Sequence, residues 1–189
     1  MLINFIGSPS SGKTTTAAML FASLKEAGVL CELSGEQARL YIARKKLQLG
    51  LAPEQFPPLD DSDQFAIMRQ QLEVDETFVA SCGSRVLVIS DSSPINSLLY
   101  MSPARRTATE VQECIVRSLS ITSATFLAAP ISRVWSVDPN RVHSQEQSRA
   151  VQNQIPALIA SLPAFKVIDV CGTPTDRLLA VQNFVFGLL

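Results

Sequence analysis

The chain has 189 residues, of which 47% are hydrophobic and 17% charged, and its formal net charge is −1 at pH 7. This composition excludes a disordered chain, and the near-neutral charge argues against a protein that coats nucleic acid with a basic surface. No apolar run approaches the roughly 18 residues that span a membrane, and the N-terminus has no signal-peptide pattern. We therefore expect a cytoplasmic protein with one domain over residues 1–189.

Strands and helices are predicted to alternate along the chain. The apolar run Leu2–Ile6 predicts a first strand, and helical spacing over 14–27, closed by Gly28, predicts the helix after it. Further strands are predicted at 29–33, 85–91, 125–129 and 165–170. Further helices are predicted at 35–47, 64–81 (capped from the segment 60–63), 109–119, 145–162 (bent or broken near Pro156) and 175–189.

This alternation determines the expected fold class. Strands that alternate with helices form βαβ units, whose strands are parallel. The run 86–89 is continuously apolar and mostly β-branched, as expected of a strand buried on both faces. We therefore predict an α/β three-layer sandwich with a mainly parallel five-stranded sheet.

The four cysteines do not form the pattern of a metal site. They include no CxxC pair, and the chain has a single histidine, His143, so zinc ligands are not clustered. We expect the cysteines to be small buried hydrophobic residues in a reducing compartment: Cys31, Cys82, Cys114 and Cys171.

Residues 7–14 fit the phosphate-binding pattern G-x-x-x-x-G-K-[ST] in full, between a strand and a helix. The glycines let the backbone turn around phosphates, and the helix N-terminus adds positive potential. Lys13 can reach the β- and γ-phosphates, and the Thr14 hydroxyl can ligate Mg²⁺. The motif predicts ATP and Mg²⁺ as ligands, and no Asn-Lys-x-Asp segment is present to bind guanine. The predicted nucleotide-binding residues are Gly7, Ser8, Pro9, Ser10, Ser11, Gly12, Lys13, Thr14 and Thr15.

Acidic residues follow two predicted strands. Asp91 ends strand 85–91, at the sheet edge where parallel sheets bind ligands. It could ligate Mg²⁺, accept the proton of an acceptor hydroxyl, or simply cap the next helix. Ser92 is a weaker candidate for contact with the acceptor. Glu36 and Arg39 are three residues apart and share a helix face, so they could face an acceptor together, with Glu36 as a rival base, or form a surface ion pair of little energetic value.

An arginine-bearing loop is predicted as a lid over about 132–149. Negative charge spreads over the γ-phosphate oxygens during phosphoryl transfer, and a mobile arginine can neutralise it. Arg141 and Arg149 fit this role, whereas a solvated basic loop is the alternative. Trp135 could stack on a base or anchor the loop. Arg105 and Arg106 are expected to remain in water rather than bind an acceptor phosphate.

Four segments together resemble the ribosylnicotinamide-kinase-like P-loop kinases, a small AAA-type ATPase family. These segments are 7–14, 36–42, 91–93 and 135–141 followed by Arg149. The resemblance implies a P-loop nucleoside- or nucleotide-kinase-like fold with ATP as the phosphate donor. It places Glu36, Arg39 and Asp91 on the acceptor side, Arg141 and Arg149 in the lid, and 172–174 beside the adenine.

The resemblance leaves two kinds of acceptor open. Some family members resemble bacteriophage kinases that act on 5-hydroxymethyluracil in DNA, and a flipped modified base is chemically close to a nucleoside 5′-hydroxyl. The near-neutral charge does not support this DNA reading. We expect a kinase that transfers the γ-phosphate to a hydroxyl of a nucleoside- or nucleotide-type acceptor, free or within DNA. The alternatives are a P-loop NTPase that switches a protein partner and a nucleotide sensor without turnover.

Overall fold

The computed structural model describes residues 1–52, 54–128 and 144–188. In these ranges the strands are β1 (Leu2–Ile6), β2 (Cys31–Ser34), β3 (Leu87–Ser90), β4 (Thr122–Ala128) and β5 (Val167–Val170). The α-helices are α1 (Lys13–Glu26), α2 (Gln37–Gln48), α3 (Asp61–Cys82), α4 (Pro103–Arg106), α5 (Thr109–Ile121), α6 (Gln145–Ser161) and α7 (Pro174–Phe186). A 3-10 helix covers Pro94–Tyr100.

The five strands form one sheet in the order β2-β3-β1-β4-β5, and every neighbouring pair is parallel. The predicted α/β fold is confirmed. The chain leaves β1 towards one edge of the sheet and leaves β3 towards the other, so the adjacent carboxyl ends of β1 and β3 flank a topological switch point. Ligands of open α/β sheets bind in the crevice at such a point.

Apolar side chains cover both faces of the sheet and produce three layers. On one face, α1 and α7 pack over the strands around Phe5, Leu20 and Val181. On the other face, α3, α5, α6 and the 3-10 helix bury a second cluster that includes Leu72 and Ile155. Strands covered on both sides read as continuous apolar runs, which explains why β1 and β3 could be predicted.

Two departures from the prediction, at the start of β4 and at Pro156 inside α6, depend on tertiary contacts. β4 begins at Thr122 rather than 125, since the Thr122 hydroxyl accepts a hydrogen bond (3.2 Å) from the Asn4 side chain of β1. α6 was predicted to be bent or broken near Pro156, and the structure shows one helix that continues through this residue, so it is not broken there. Ile155 and Leu158 are buried on either side of the proline, and this packing offsets the cost of the missing N–H.

The cap of one helix was predicted, whereas two short capped helices were not. The cap of α3 lies in the expected segment 60–63, at Asp60, whose carboxylate accepts hydrogen bonds from the backbone N–H groups of Ser62 and Asp63, and the helix begins at Asp61 rather than at 64. The 3-10 helix Pro94–Tyr100 and α4 were not predicted, although Ser93 and Ser102 cap them and a proline follows each cap. Short helices with a serine-proline start have too few residues for a periodic apolar pattern.

Two cysteines depart from the expectation of burial. Cys31 and Cys114 are buried and free, but Cys82 is half-buried and Cys171 is exposed. Cys82 is the last residue of α3 and Cys171 follows the last residue of β5, so both lie at element ends beyond the core. In the part of the chain described here, no helix is long and apolar enough to cross a membrane.

Candidate functional site

The loop between β1 and α1 has the backbone conformation of a phosphate cradle. Gly7, Ser10 and Gly12 have φ angles of 156°, 65° and 89°, which turn the chain tightly before the helix begins. A Cβ on Gly7 would lie 2.6 Å from the Ser11 hydroxyl and 2.8 Å from the Ala128 carbonyl oxygen. Only glycine fits at that position, because neither the loop nor β4 has space for a side chain there.

Side chains from two other elements hold this loop. The hydrogen bonds run from Gly7 N to Asn96 Oδ1 (3.3 Å), from Ser8 N to Gln152 Oε1 (3.1 Å) and from Ser148 Oγ to Pro9 O (2.6 Å). Asn96 belongs to the 3-10 helix, and the other two side chains belong to α6. The shape of the loop therefore depends on residues far away in the sequence.

A buried arginine supports the loop from the opposite side. Arg177, near the start of α7, is 1% exposed. It donates hydrogen bonds to Gly172 O (3.2 Å) and Ser11 O (2.5 Å), and burial lowers the pKa of its guanidinium. The segment after β5, which the resemblance places beside the adenine, is thus connected directly to the phosphate cradle. Sequence reasoning missed Arg177, because helical spacing alone does not distinguish it from a surface arginine.

The centre of the cradle combines a cation with buried hydroxyls. The Lys13 side chain is buried, and its Nζ donates to Gly7 O (2.9 Å) and Ser8 O (3.1 Å). Within the described ranges, the buried hydroxyl oxygens of Ser8 and Ser11 have no hydrogen-bond partner. An ammonium, hydroxyl donors and a helix N-terminus are the groups that bind phosphate oxygens. The cradle therefore fits the phosphates of a nucleotide.

Asp91 lies one residue beyond β3 and faces the cradle. Its backbone N–H donates to Ser34 O (2.9 Å), and its carboxylate interacts with the Thr14 side chain, which lowers the pKa of the carboxyl. The carboxylate is buried, and its Oδ1 lacks a hydrogen-bond partner among the described residues. Burial is the largest cause of its raised pKa, and the negative charge of Glu36 raises it further, against the lowering effect of Thr14, Lys13 and Arg39.

Glu36 and Arg39 lie on the side of Asp91 away from β1. They form an ion pair with an Arg39 Nε to Glu36 Oε2 distance of 2.9 Å, and both charges act on Asp91. Glu36 also acts on Tyr100, whose pKa is raised above its ordinary value chiefly by burial. The structure thus brings Glu36, Arg39 and Asp91 together as predicted and adds Tyr100, which no motif in the sequence singles out.

The remaining predicted site residues lie at the following positions. Ser92 is buried and its hydroxyl accepts a hydrogen bond from Asn96 Nδ2 (2.7 Å). Thr15 is exposed in the first turn of α1. Arg149 is exposed on α6, one residue after Ser148, which contacts the cradle. Arg141 and Trp135 lie outside the described residues.

The expectation that Arg105 and Arg106 remain in water is wrong. Arg105 pairs with Glu110 (2.7 Å) and lies over the Phe65 ring, with 4.8 Å between the guanidinium carbon and the ring centroid. Arg106 donates from Nε to Met101 O (3.0 Å). Both arginines lie at the end of the unpredicted helix α4, and this short helix turns their side chains back onto the protein.

The side chains at the cradle also fit a magnesium ion. Mg²⁺ prefers hard oxygen ligands and is usually held by one or two protein groups together with phosphates and water. The Thr14 hydroxyl and the Asp91 carboxylate provide two such oxygens, and Thr14 is close enough to lower the pKa of the Asp91 carboxyl. The described residues contain no cluster of three or more histidine, cysteine or acidic residues that could hold a metal alone. A metal at Thr14 and Asp91 would therefore share its coordination with the nucleotide.

Comparison with solved structures identifies the fold. The NadR protein in complex with NAD and AMP-PNP has a TM-score of 0.64 at 16% identity, covering 97% of this chain and 49% of that chain. NadR in complex with NR has a TM-score of 0.62 at 15% identity, covering 97% and 50%. Thymidylate kinase from Ehrlichia chaffeensis has a TM-score of 0.58 at 18% identity, covering 98% of each chain. The chain thus spans about half the length of NadR and has the fold of P-loop kinases.

Sequence comparison identifies the family. No curated protein matches the chain. The protein-family model described as an AAA domain matches residues 2–177. Since this match covers nearly the whole length, the chain belongs to the AAA domain family.

Proposed function

We propose that the protein is an ATP-dependent kinase that transfers the γ-phosphate of ATP to a hydroxyl of a nucleoside- or nucleotide-type acceptor. The observation that carries the proposal is the position of Asp91. Its buried carboxylate is influenced by Thr14 and Lys13 of the phosphate cradle on one side and by Glu36 and Arg39 on the other side. A phosphotransferase needs such a group between donor and acceptor, because the acceptor hydroxyl must be oriented and must lose a proton.

The donor side is assigned to the cradle. Lys13 and the loop N–H groups would bind the β- and γ-phosphates, and the hydroxyls of Ser8 and Ser11 are available as further donors. Bound Mg²⁺, held by Thr14 and, where Asp91 is not the base, also by Asp91, would neutralise phosphate charge. The loop after β5 at Gly172, tied to the cradle by Arg177, is proposed to lie beside the adenine.

The acceptor side is assigned to the residues after β2 and β3. The raised pKa of Asp91 makes its carboxylate a stronger base than that of an ordinary aspartate, as a general base requires. If Asp91 instead holds the metal, Glu36 is the nearest alternative base, since its charge acts on the same carboxylate. Arg39 carries a planar fork of donors that can bind an acceptor oxygen or phosphate. Tyr100, whose pKa is affected by the charge of Glu36, is proposed as a further contact of the acceptor.

The lid over 132–149 is proposed to close on the nucleotide. Arg149 follows Ser148, whose hydroxyl bonds the cradle at Pro9 O, so this end of α6 is anchored at the phosphate site. An arginine near that anchor can approach the γ-phosphate over a short distance. Arg141 is proposed to contribute in the same way.

The nucleoside or nucleotide class of acceptor is supported by what the structural neighbours bind. The NadR structures contain NR, NAD and AMP-PNP, and the third neighbour is a thymidylate kinase. A free nucleoside, a nucleoside monophosphate and 5-hydroxymethyluracil within DNA all present a hydroxyl of this kind. These three acceptors, with nicotinamide riboside, therefore form the test panel.

The test is ADP production from ATP and Mg²⁺ with each acceptor in turn. The proposal requires acceptor-dependent turnover that is lost in Lys13→Ala and kept in Lys25→Ala, a matched control at the exposed end of the same helix. Stimulation by modified DNA alone would define a DNA kinase. ATP hydrolysis that no acceptor increases would contradict the proposal and favour the NTPase switch, and ATP binding without turnover would favour a sensor.

A further inference from the structure

A buried polar cluster lies behind the acceptor side of the candidate site. Ser34 and Ser90 are the last residues of β2 and β3 and are partners in the parallel register. Both side chains donate to Asp75 on α3, from Ser34 Oγ to Oδ1 (2.7 Å) and from Ser90 Oγ to Oδ2 (3.1 Å). Asp75 is fully buried, at 0% exposure. An ionisable group is therefore placed inside the protein, between two strand ends and a helix.

Gln71, one helical turn before Asp75, completes the cluster. Its Nε2 lies within hydrogen-bond distance of Asp75 Oδ1 (3.2 Å), Ser34 Oγ (3.3 Å) and Ser90 Oγ (3.2 Å). Its Oε1 accepts a hydrogen bond of 2.9 Å from the backbone N–H of Gln37, the first residue of α2. The cluster thus also holds the start of the helix that follows Glu36.

The two candidate bases are each one residue away from this cluster. Glu36 precedes Gln37, Asp91 follows Ser90, and the Asp91 backbone N–H donates to Ser34 O. We propose that Asp75 is a positioning residue for phosphoryl transfer, which with Gln71 sets the relative placement of Glu36 and Asp91. This inference rests on the proposed function, because the placement of the two carboxylates affects a reaction only if the protein is a phosphotransferase.

The Ser90 hydroxyl gives the cluster two hydrogen-bond arrangements. It has one hydrogen but two acceptors, Asp75 Oδ2 and Ser92 O, each at 3.1 Å. When Asp75 is ionised, the hydrogen is drawn to the carboxylate. When Asp75 takes up a proton, its O–H donates to Ser90 Oγ and the Ser90 hydrogen turns to Ser92 O, so every donor keeps an acceptor. The proton held by Asp75 therefore changes how the segment after Asp91 is bonded.

The surroundings of Asp75 place this change in an accessible pH range. Burial is the largest influence and raises its pKa to about 6. The hydrogen bonds from Ser34, Ser90 and Gln71 oppose the rise, and the charge of Glu76 on the same helix adds to it. The groups that face Asp75 from β2 and β3 are the two serine hydroxyls.

The first test is an NMR titration of the full chain from pH 4.5 to 8, which needs no acceptor. We expect the Asp75 carboxyl carbon, the Gln37 amide and the Ser93 amide, whose peptide group contains the Ser92 carbonyl, to shift with a common midpoint. In Asp75→Asn, which mimics the neutral acid, that transition should vanish from both amides. Glu73→Gln, a matched charge change on the exposed face of α3, should retain it. Amides that do not follow Asp75, or that titrate unchanged in the Asn variant, would overturn the proposal.

A second variant protects the test against misfolding of the first. Ser90→Ala removes the shared hydroxyl and leaves the carboxyl in place, so Asp75 should still titrate while the Ser93 amide should no longer follow it. A Ser93 amide that still follows Asp75 in this variant would refute the proposed route through Ser90.

The kinetic test separates the two proposals. With an acceptor that the native protein phosphorylates, Asp75→Asn should lower kcat roughly 10- to 100-fold. This is the size expected when reacting groups are misplaced by up to about 1 Å. It should also remove the inflection of kcat that coincides with the NMR midpoint, while the Kd for ATP stays within about twofold. An unchanged kcat profile would overturn the positioning role and leave the kinase proposal intact. Coupled amides without any acceptor turnover would support the structural link and refute the kinase proposal.

Discussion

Asp75→Asn should alter how the stability of the fold depends on pH. The pKa of Asp75 is raised from 3.8 to about 6, chiefly by burial. A carboxyl with a higher pKa in the folded than in the unfolded chain binds its proton more tightly when folded. Its contribution to stability is therefore fully present below about pH 4 and is lost as the pH rises through about 6. Since each pKa unit is worth about 1.4 kcal/mol, the loss amounts to about 3 kcal/mol.

The measurement is urea unfolding of the native protein and of Asp75→Asn at intervals from pH 4 to 8. The difference in unfolding free energy, native minus variant, should fall by about 3 kcal/mol over this range, because the other titrating groups contribute equally to both proteins. In Glu73→Gln the corresponding difference should change much less, since that side chain is exposed. If the difference in unfolding free energy between the native protein and Asp75→Asn does not vary with pH, burial does not raise the pKa of this carboxyl and the argument is refuted.

Three further substitutions test the cradle and the group beside it. Lys13→Ala should lower transfer about 100-fold or more, measured as acceptor-dependent ADP production, with Lys25→Ala unaffected. Because the Lys13 ammonium also bonds two loop carbonyls, a modest loss in melting temperature should accompany it. Asp91→Asn should lower kcat at least about 100-fold with the Kd for ATP nearly unchanged if Asp91 is the base, whereas a loss of Mg·ATP affinity in a titration would make it a metal ligand. Gly7→Ala should cost about 1–3 kcal/mol in unfolding free energy and abolish nucleotide binding, whereas Gly28→Ala, where no atom lies within 4 Å of the added Cβ, should leave nucleotide binding unchanged.

Local pattern was sufficient for most of the fold. β1 was predicted at its observed bounds, because its apolar residues are continuous and the glycine after it ends the strand. The cap at Asp60 followed from residue type, since a short acidic side chain can bond the free N–H groups of a helix start. Predictions failed where a distant partner decides the outcome, as at Thr122, which extends β4 by bonding Asn4, and at Pro156, where core packing holds the helix together.

The candidate site also contains some residues that local sequence predicts and others that only tertiary contacts reveal. The phosphate cradle is contiguous in the chain, so its residue types and order were enough to predict it. The residues after β2 and β3 were expected at one edge of the sheet, because the carboxyl ends of parallel strands meet there, and their role towards an acceptor stays a prediction. Tyr100 was missed, since nothing in its immediate sequence marks it as a neighbour of Glu36.

The sequence by itself determined the strand-helix alternation, the phosphate-binding loop and the acidic residue after the third strand, because each is written in residues that adjoin one another. Only the tertiary structure decided the strand order, and with it the contacts that depend on that order. The order places β2 beside β3, which brings Ser34 and Ser90 together on Asp75. The packing of α7 places Arg177 against Ser11, 166 residues away. Such contacts are set by how buried surfaces fit together in three dimensions, and a buried arginine or aspartate has the same local sequence signature as an exposed one.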